Sequence, residues 1–265
     1  MEEEIEQKRL DEKRGRLERM LEYVRPGLIC EMGCGSGSVL EFISERLPGS
    51  TVVGVDRSLE RLVAAASRSL PDTFQVAAEI PERVFTAAGF DSVVFIWSMH
   101  EVYSGTGDRG VLETLKTVRE MLKDDGVLVI QDFLRPVRRE VTLGFKNNQA
   151  EEKFMKFARE FRNHAVEYVD IGAAVRLDVG DAVEFISKYD IDDEREWCHE
   201  MSETHFFYSL LRHMDAAAEA GFEVEYAGGF PLSWEAIDVA GHDMDFDFEK
   251  AFSWMQMVLR KGRAE

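Results

Sequence analysis

Between Leu28 and Ile130, short apolar runs alternate with amphipathic stretches, and this rhythm restricts the fold more than any other feature of the sequence. Leu28–Met32, Thr51–Val55, Thr73–Ala77, Asp91–Trp97 and Val127–Ile130 read as strands. Asp91–Trp97 (DSVVFIW) is almost continuously apolar, as a strand covered on both faces must be. Helical stripes separate the strands. One carries Val39, Leu40, Phe42, Ile43 and Leu47; the next carries Leu59, Leu62, Val63 and Ala66, with Ser58 as N-cap; another, over about 109–122, carries Leu112, Leu115, Val118 and Leu122. Strands alternating with helices predict a doubly wound α/β sheet, mostly parallel, with right-handed crossovers.

The rhythm breaks over 134–200, which reads as helical and amphipathic, with Phe154, Phe157 and Phe161 on one face and no clear strand. It resumes with a helix at about 204–220, for which Ser202 or Thr204 is the expected N-cap, then strands at Phe222–Tyr226 and Ser253–Arg260. The expected organisation is an N-terminal helix over 1–25 with Leu10, Leu17, Leu21 and Val24 on one face, a Rossmann-like domain over 26–133 and 201–265, and a helical cap over 134–200 inserted after the fifth strand.

Charge narrows the partners. Lys and Arg number 32 against 51 Asp and Glu, a formal charge of −19. Binding to a phosphate backbone or an anionic membrane rests on basic residues, so nucleic acid and membrane surfaces are not expected partners. No apolar run approaches the ~20 residues of a membrane span. Met1-Glu2-Glu3-Glu4 lacks the apolar stretch of a secretory signal. Cys30, Cys34 and Cys198 form no CxxC pair, which fits a reducing, cytoplasmic setting.

The most specific motif is Glu31-Met32-Gly33-Cys34-Gly35-Ser36-Gly37, at the carboxyl end of the first strand where an open α/β sheet binds its ligand. Its glycines allow a tight turn, a close ligand approach and close helix packing. Asp56 ends the second strand, where a carboxylate can accept both hydroxyls of an adenosine ribose. The spacing departs from the dinucleotide fingerprint G-x-G-x-x-G/A, because Ser38 stands at its third position. Glu31 suits a ligand carrying an ammonium group and suits a pyrophosphate poorly.

Four segments in register resemble the class I S-adenosylmethionine-dependent methyltransferases: LICEMGCGSGSVLEF, TVVGVDRSLERL, FDSVVFIWSMHEV and LKDDGVLVIQDF, together about residues 27–133. The last helix and two closing strands fit that family's antiparallel end. The resemblance implies S-adenosyl-L-methionine as cofactor. It implies that Glu31, Gly33, Cys34, Gly35 and Gly37 hold the methionine part, that Asp56 binds the ribose and that Arg57 lies near the adenine. Ala77 stands where the family often has an Asp that meets the adenine amine, so Glu79 or backbone would take that contact.

Trp97-Ser98-Met99-His100-Glu101-Val102-Tyr103 follows the fourth strand. Trp97 is expected as a wall of the cofactor pocket. His100 either accepts a substrate proton or packs on the cofactor, Glu101 orients it or binds substrate, and Tyr103 is a further substrate contact. Glu200, Glu203 and His205 are expected to meet the substrate where cap and last helix converge. His199, Glu200 and Glu203 would share a helical face, but their spacing is no recognised metal signature and no metal is expected. His242–Glu249, alternating acidic and apolar residues, reads as a solvated loop. The preferred function is methyl transfer to a small acceptor, neutral or cationic, under the cap. Alternatives are an RNA or protein acceptor and non-catalytic cofactor binding.

Overall fold

The computed structural model describes residues 13–80, 82, 85, 88–232 and 235–262. Leu10 and Met1–Glu4 lie outside the described residues. Helix α1 covers 13–21 and buries Leu17 and Met20. Then follow β1 (Leu28–Met32), α2 (Ser38–Arg46), β2 (Thr51–Asp56), α3 (Leu59–Ser67), β3 (Thr73–Ala77), β4 (Phe90–Ile96), α4 (Met99–Met121) and β5 (Leu122–Phe133). All five expected strands are present. Ser58 caps α3, accepting from the Arg61 N–H.

The sheet order is β3-β2-β1-β4-β5-β11-β9, with β9 at Phe222–Pro231 and β11 at Ser253–Lys261. β11 runs antiparallel to both its neighbours, and the other pairings are parallel. In this sheet β11 alone therefore runs against the other strands, as the closing segments imply. Alternate residues of the buried strands feed two cores. Ile29, Val52 and Val94 pack with α1, α2 and α3, while Cys30, Val53, Val93 and Phe95 pack with α4 and α8 (Leu210–Glu219). A ligand edge is left free at the carboxyl ends of β1, β2 and β4.

The cap differs from the all-helical expectation. Besides α5 (Asn148–Glu160), α6 (Val179–Ile186) and α7 (Glu194–Glu200), residues 134–200 contain β6 (Glu140–Phe145), β7 (Tyr168–Asp170) and β8 (Ala174–Asp178). Val141, Leu143, Val175 and Leu177 are buried and alternate with half-buried or exposed neighbours, a short period-two signal beside the stronger aromatic helix. The antiparallel sheet order is β10-β6-β8-β7, and β10 is Met244–Asp245, reached through α9 (Glu235–Asp243). The chain thus returns to the cap between β9 and β11. The expected solvated loop at His242–Glu249 instead buries Met244 and Phe248 in the cap core with Phe154, Phe157, Phe185 and Trp197. The last helix starts later than expected: residues 205–208 are irregular, with the Phe207 N–H donating to the His205 carbonyl, and Ser209 caps α8 in place of Ser202 or Thr204. That segment packs His205 and Phe206 on Phe133 at the end of β5.

Candidate active site

β1 runs into Gly33, whose φ is +80°, and a Cβ added there would stand 2.5 Å from the Ser98 Cβ. Ser98 sits just past β4 and donates from Oγ to the Met32 carbonyl at 2.7 Å, so the two loops are fastened back to back. Gly37 (φ +82°) precedes α2, and a Cβ there would come within 2.9 Å of the Ala65 Cβ in α3. Both positions require glycine for conformation and for space.

Two cavities meet at Gly33. The first, ≈ 300 Å³, is lined by Glu31, Gly33, Cys34, Gly35 and Trp97, and α1 adds Lys13 and Arg16. The second, ≈ 210 Å³, is lined by Gly33, Asp56, Arg57, Glu79, Ser98 and Glu101. The expected cofactor residues therefore share one edge, with Gly37 in support at the helix start. Ala78, Glu79 and Ile80 line the second cavity, whereas Ala77 does not.

Glu31 is 2% exposed, and its Oε2 has no hydrogen-bond partner. Burial, reinforced by the nearby Asp56 charge, raises its pKa well above the ordinary carboxylate value. A cation in the first cavity would relieve both penalties. Burial also pushes the Cys34 thiol up to about 12, so it is not a thiolate nucleophile at neutral pH. Asp56 accepts the Gly35 N–H on Oδ2 and the Ser58 N–H on Oδ1, each at 2.8 Å. Each oxygen keeps a second lone pair for a ligand. Trp97 has a left-handed φ of +56°, rare for a bulky residue. It is held by its N–H to the Gln131 carbonyl (2.9 Å), by Phe133 (4.6 Å between centroids) and by the Arg16 guanidinium (5.1 Å).

The opposite wall is built from buried charge. Asp132, at the end of β5, has no exposure and accepts from His100 twice, from its backbone N–H at 2.9 Å and from Nδ1 at 2.8 Å. A carboxylate whose pKa is lowered only accepts, so Nδ1 carries hydrogen and Nε2 of the neutral ring carries the lone pair. Burial alone would depress the His100 pKa. Asp132, by charge and hydrogen bond, with Glu101 and Glu203 behind it, reverses this and leaves it raised. Burial and the Glu203 charge raise the Glu101 pKa.

The His205 ring stands 5.2 Å from that of His100, at 85° to it. His205 Nδ1 meets Ser187 Oγ at 3.1 Å, and Nε2 lies 3.3 Å from Glu200. Burial and the Lys188 charge lower the His205 pKa. Lys188 is wholly buried between Glu184 (3.2 Å) and Glu200 (2.8 Å). Glu184 also accepts the Thr204 hydroxyl and the backbone N–H groups of His205 and Phe206, which fixes the segment before α8. One ligating atom each of His100, Glu203 and His205 lies within 4.8 Å of the other two. Glu200, Glu203 and His205 thus lie together with His100, but Tyr103 does not. Its ring stacks on Phe207 (4.9 Å) and packs edge-on to Tyr208 (5.3 Å) beside the sheet core.

Sequence reading missed Asp132, Glu184 and Lys188. A signal existed for each: a lone carboxylate ends the apolar run VLVIQDF, and an acid and a base four apart sit among Val183, Phe185 and Ile186. Among the described residues, no helix is long and apolar enough to cross a membrane.

Residues 30–128 match a family model described as a methyltransferase domain. Two curated relatives are trans-aconitate 2-methyltransferases. That of Rhodopseudomonas palustris is 32% identical over 111 residues, covering 41% of this chain and 39% of the relative; that of Afipia carboxidovorans is 31% identical over 103 residues, covering 39% and 37%. The chain spans about two fifths of the length of these relatives. A solved S-adenosylmethionine-dependent methyltransferase from Mesorhizobium loti superposes with a TM-score of 0.57 at 16% identity, covering 93% of this chain and 96% of the other. A phosphoethanolamine N-methyltransferase from Haemonchus contortus, solved with phosphomonomethylethanolamine and S-adenosylhomocysteine, gives 0.57 at 13% identity, covering 94% and 53%.

Proposed function

The chain carries a class I methyltransferase domain over residues 30–128, and from that premise we propose that it transfers the methyl group of S-adenosylmethionine to a small-molecule acceptor held between the β4 edge and the cap. The observation that carries this reading is the buried, unpartnered Oε2 of Glu31 beside the glycine loop. It matches the ammonium of an amino-acid ligand, and Asp56 in the adjoining cavity matches ribose hydroxyls.

When bound, the cofactor supplies an electrophilic methyl group on a sulfonium. The chain's own task is alignment and water exclusion. Glu31 and the Gly33–Gly37 backbone hold the methionine part. Asp56 holds the ribose, with Arg57 and Glu79 on the adenine side, and Trp97, braced by α1, closes the wall. His100 and Glu101 face the acceptor, and Asp132 keeps the His100 lone pair on Nε2. An acceptor arriving with a proton would meet that lone pair. Glu200, Glu203 and His205 form the acceptor's far wall.

The trans-aconitate methyltransferase relatives support a small acceptor. Glu101 and Glu203 would repel a tricarboxylate, so the pocket suits a neutral or cationic one better. The decisive test is transfer of labelled methyl from the cofactor into a metabolite extract and, separately, into total RNA. Label is expected in small molecules; label in RNA alone would overturn the reading. Asp56→Ala should weaken cofactor binding at least tenfold, about 1.4 kcal/mol, in calorimetry. Unchanged affinity would remove Asp56 from the ribose.

A further inference from the structure

We infer that Lys13 and Arg16 of α1 hold the carboxylate of the cofactor's methionine end, which makes the first cavity a pocket for a zwitterion with Glu31 as its other pole; this rests on the methyl-transfer reading and deepens it.

α1 turns one face to the rest of the molecule, and that face changes character along the helix. Leu17 and Met20 are buried in the core with Ile29, Val52 and Val94. Lys13 and Arg16, one turn earlier on the same face, line the first cavity together with Leu17. A helix that only covered the sheet would continue its apolar stripe there. Charge singles out the same cavity. The whole chain has 51 acidic residues against 32 basic ones, yet the described residues lining this cavity include three basic side chains, Lys13, Arg16 and Arg61, and one acidic, Glu31. Neither α1 cation neutralises Glu31, whose Oε2 has no partner and whose pKa stays raised through burial and the Asp56 charge. Opposite charges that share a cavity without pairing fit a ligand carrying both signs.

Buried amides fix α1 in this place. Gln131 in β5 and Gln256 in β11 stand opposite each other, fully buried. Gln131 Nε2 donates to the Arg16 carbonyl and to Gln256 Oε1, each at 2.8 Å, and Gln256 Nε2 donates to the Arg19 carbonyl at 3.3 Å. Burying an amide is costly unless it is bonded, and two of these bonds are spent on positioning the helix. The Glu18–Arg46 ion pair adds a tie to α2. Arg16 also lies over the Trp97 ring, 5.1 Å from its centroid. A guanidinium presents five donors in a planar fork, so it can brace an indole with its face and meet a carboxylate with its edge. Arg61 belongs to α3, and its charge acts on Glu101 in the second cavity, so the carboxylate is assigned to α1.

The test is calorimetry of the full chain with two ligands. Decarboxylated S-adenosylmethionine keeps the ammonium and the sulfonium and lacks the carboxylate. The wild-type chain should bind it at least tenfold more weakly than S-adenosylmethionine. Lys13→Met combined with Arg16→Gln removes both charges and keeps the side-chain stems. This double variant should bind S-adenosylmethionine at least tenfold more weakly than wild type, and the decarboxylated ligand within about twofold of wild type. Arg14→Ala, at an exposed position of α1, should bind both ligands as wild type. A double variant that loses affinity for both ligands alike would make α1 a structural support only and overturn the inference, as would a wild-type chain that does not distinguish the two; either result leaves the cofactor reading standing. Failure of the wild-type chain to bind S-adenosylmethionine at all would overturn the cofactor reading, and the role of α1 with it.

Discussion

The two walls of the pocket are made differently. The β1–β2 wall is mostly backbone, a turn in which Gly33 and Gly37 permit conformations and approaches other residues resist, with Glu31 and Asp56 as its carboxylates. The β4–β5 wall is almost all buried charge: His100 on Asp132, and Lys188 among Glu184, Glu200 and His205. The first wall is limited by geometry, the second by electrostatics. A ligand common to many enzymes can be gripped by backbone, whereas the reacting partner is defined by charge placed at particular atoms.

If the walls are independent, removing charge from the second should leave the first intact. Lys188→Met strips the cation from the buried Glu184 and the half-buried Glu200, and breaking a buried pair costs about 3–5 kcal/mol. Chemical denaturation should show a loss of that size, concentrated in the cap. Cofactor affinity of the folded fraction should stay within about twofold, since distant sites are nearly additive. A tenfold fall in affinity would mean the walls act as one unit.

Asp132→Asn acts nearer the chemistry. It removes the partner that holds the His100 tautomer, and turnover is expected to fall about 100-fold with cofactor affinity unchanged. The pH profile gives the sharper readout. Because Asp132 raises the His100 pKa, activity needing the lone pair climbs as pH rises through that raised value. The variant's ascending limb should therefore move to lower pH. The linkage signs agree: the pair's stabilisation through His100 is lost as pH rises through the raised pKa, and through Asp132 as pH falls through its lowered one. An unmoved limb would exclude Asp132 as a positioning residue.

Gly33→Ala probes the other wall. The new Cβ meets Ser98, in a backbone region that resists side chains. A destabilisation of about 2 kcal/mol is expected, together with weakened cofactor binding. Retained stability and affinity would show that the turn is not geometry-limited.

Legibility followed the same division. The first wall is written within short spans, Glu31–Gly37 and the end of the second strand, so spacing alone exposed it. The central sheet was readable for a similar reason, since strands such as Phe90–Ile96 are apolar on both faces. The second wall is joined by long-range contacts, such as Glu184 with Thr204 and His100 with Asp132, 20 and 32 residues apart. No local period encodes such pairs. Tyr103 lies apart from the cluster because His100, three positions earlier, turns to Asp132 while Tyr103 turns to Phe207. Among the cap strands, β7 has three residues and β10 two, fewer than an alternating pattern needs, while the short alternation of β6 and β8 is overshadowed by the aromatic helix beside it.

The smallest expected effect is a proton. Glu31 has a raised pKa because burial penalises its charge and the Asp56 charge opposes it, against one backbone hydrogen bond from Leu40. Without ligand, the native state favours the neutral carboxyl, so Glu31's stabilisation is present below its unfolded value and is lost as pH rises through the raised one. A cationic ligand reverses the preference. Binding S-adenosylmethionine should release protons while the free carboxyl is still neutral, and affinity should rise with pH by no more than about tenfold per unit, levelling above the raised pKa. Calorimetry in buffers of different ionisation enthalpy measures that release directly. In Glu31→Gln the Glu31-linked release and slope should vanish, with affinity lower at neutral pH. Proton uptake, or the same release in the variant, would mean that the cation does not sit on Glu31 and that the first wall grips its ligand by shape alone.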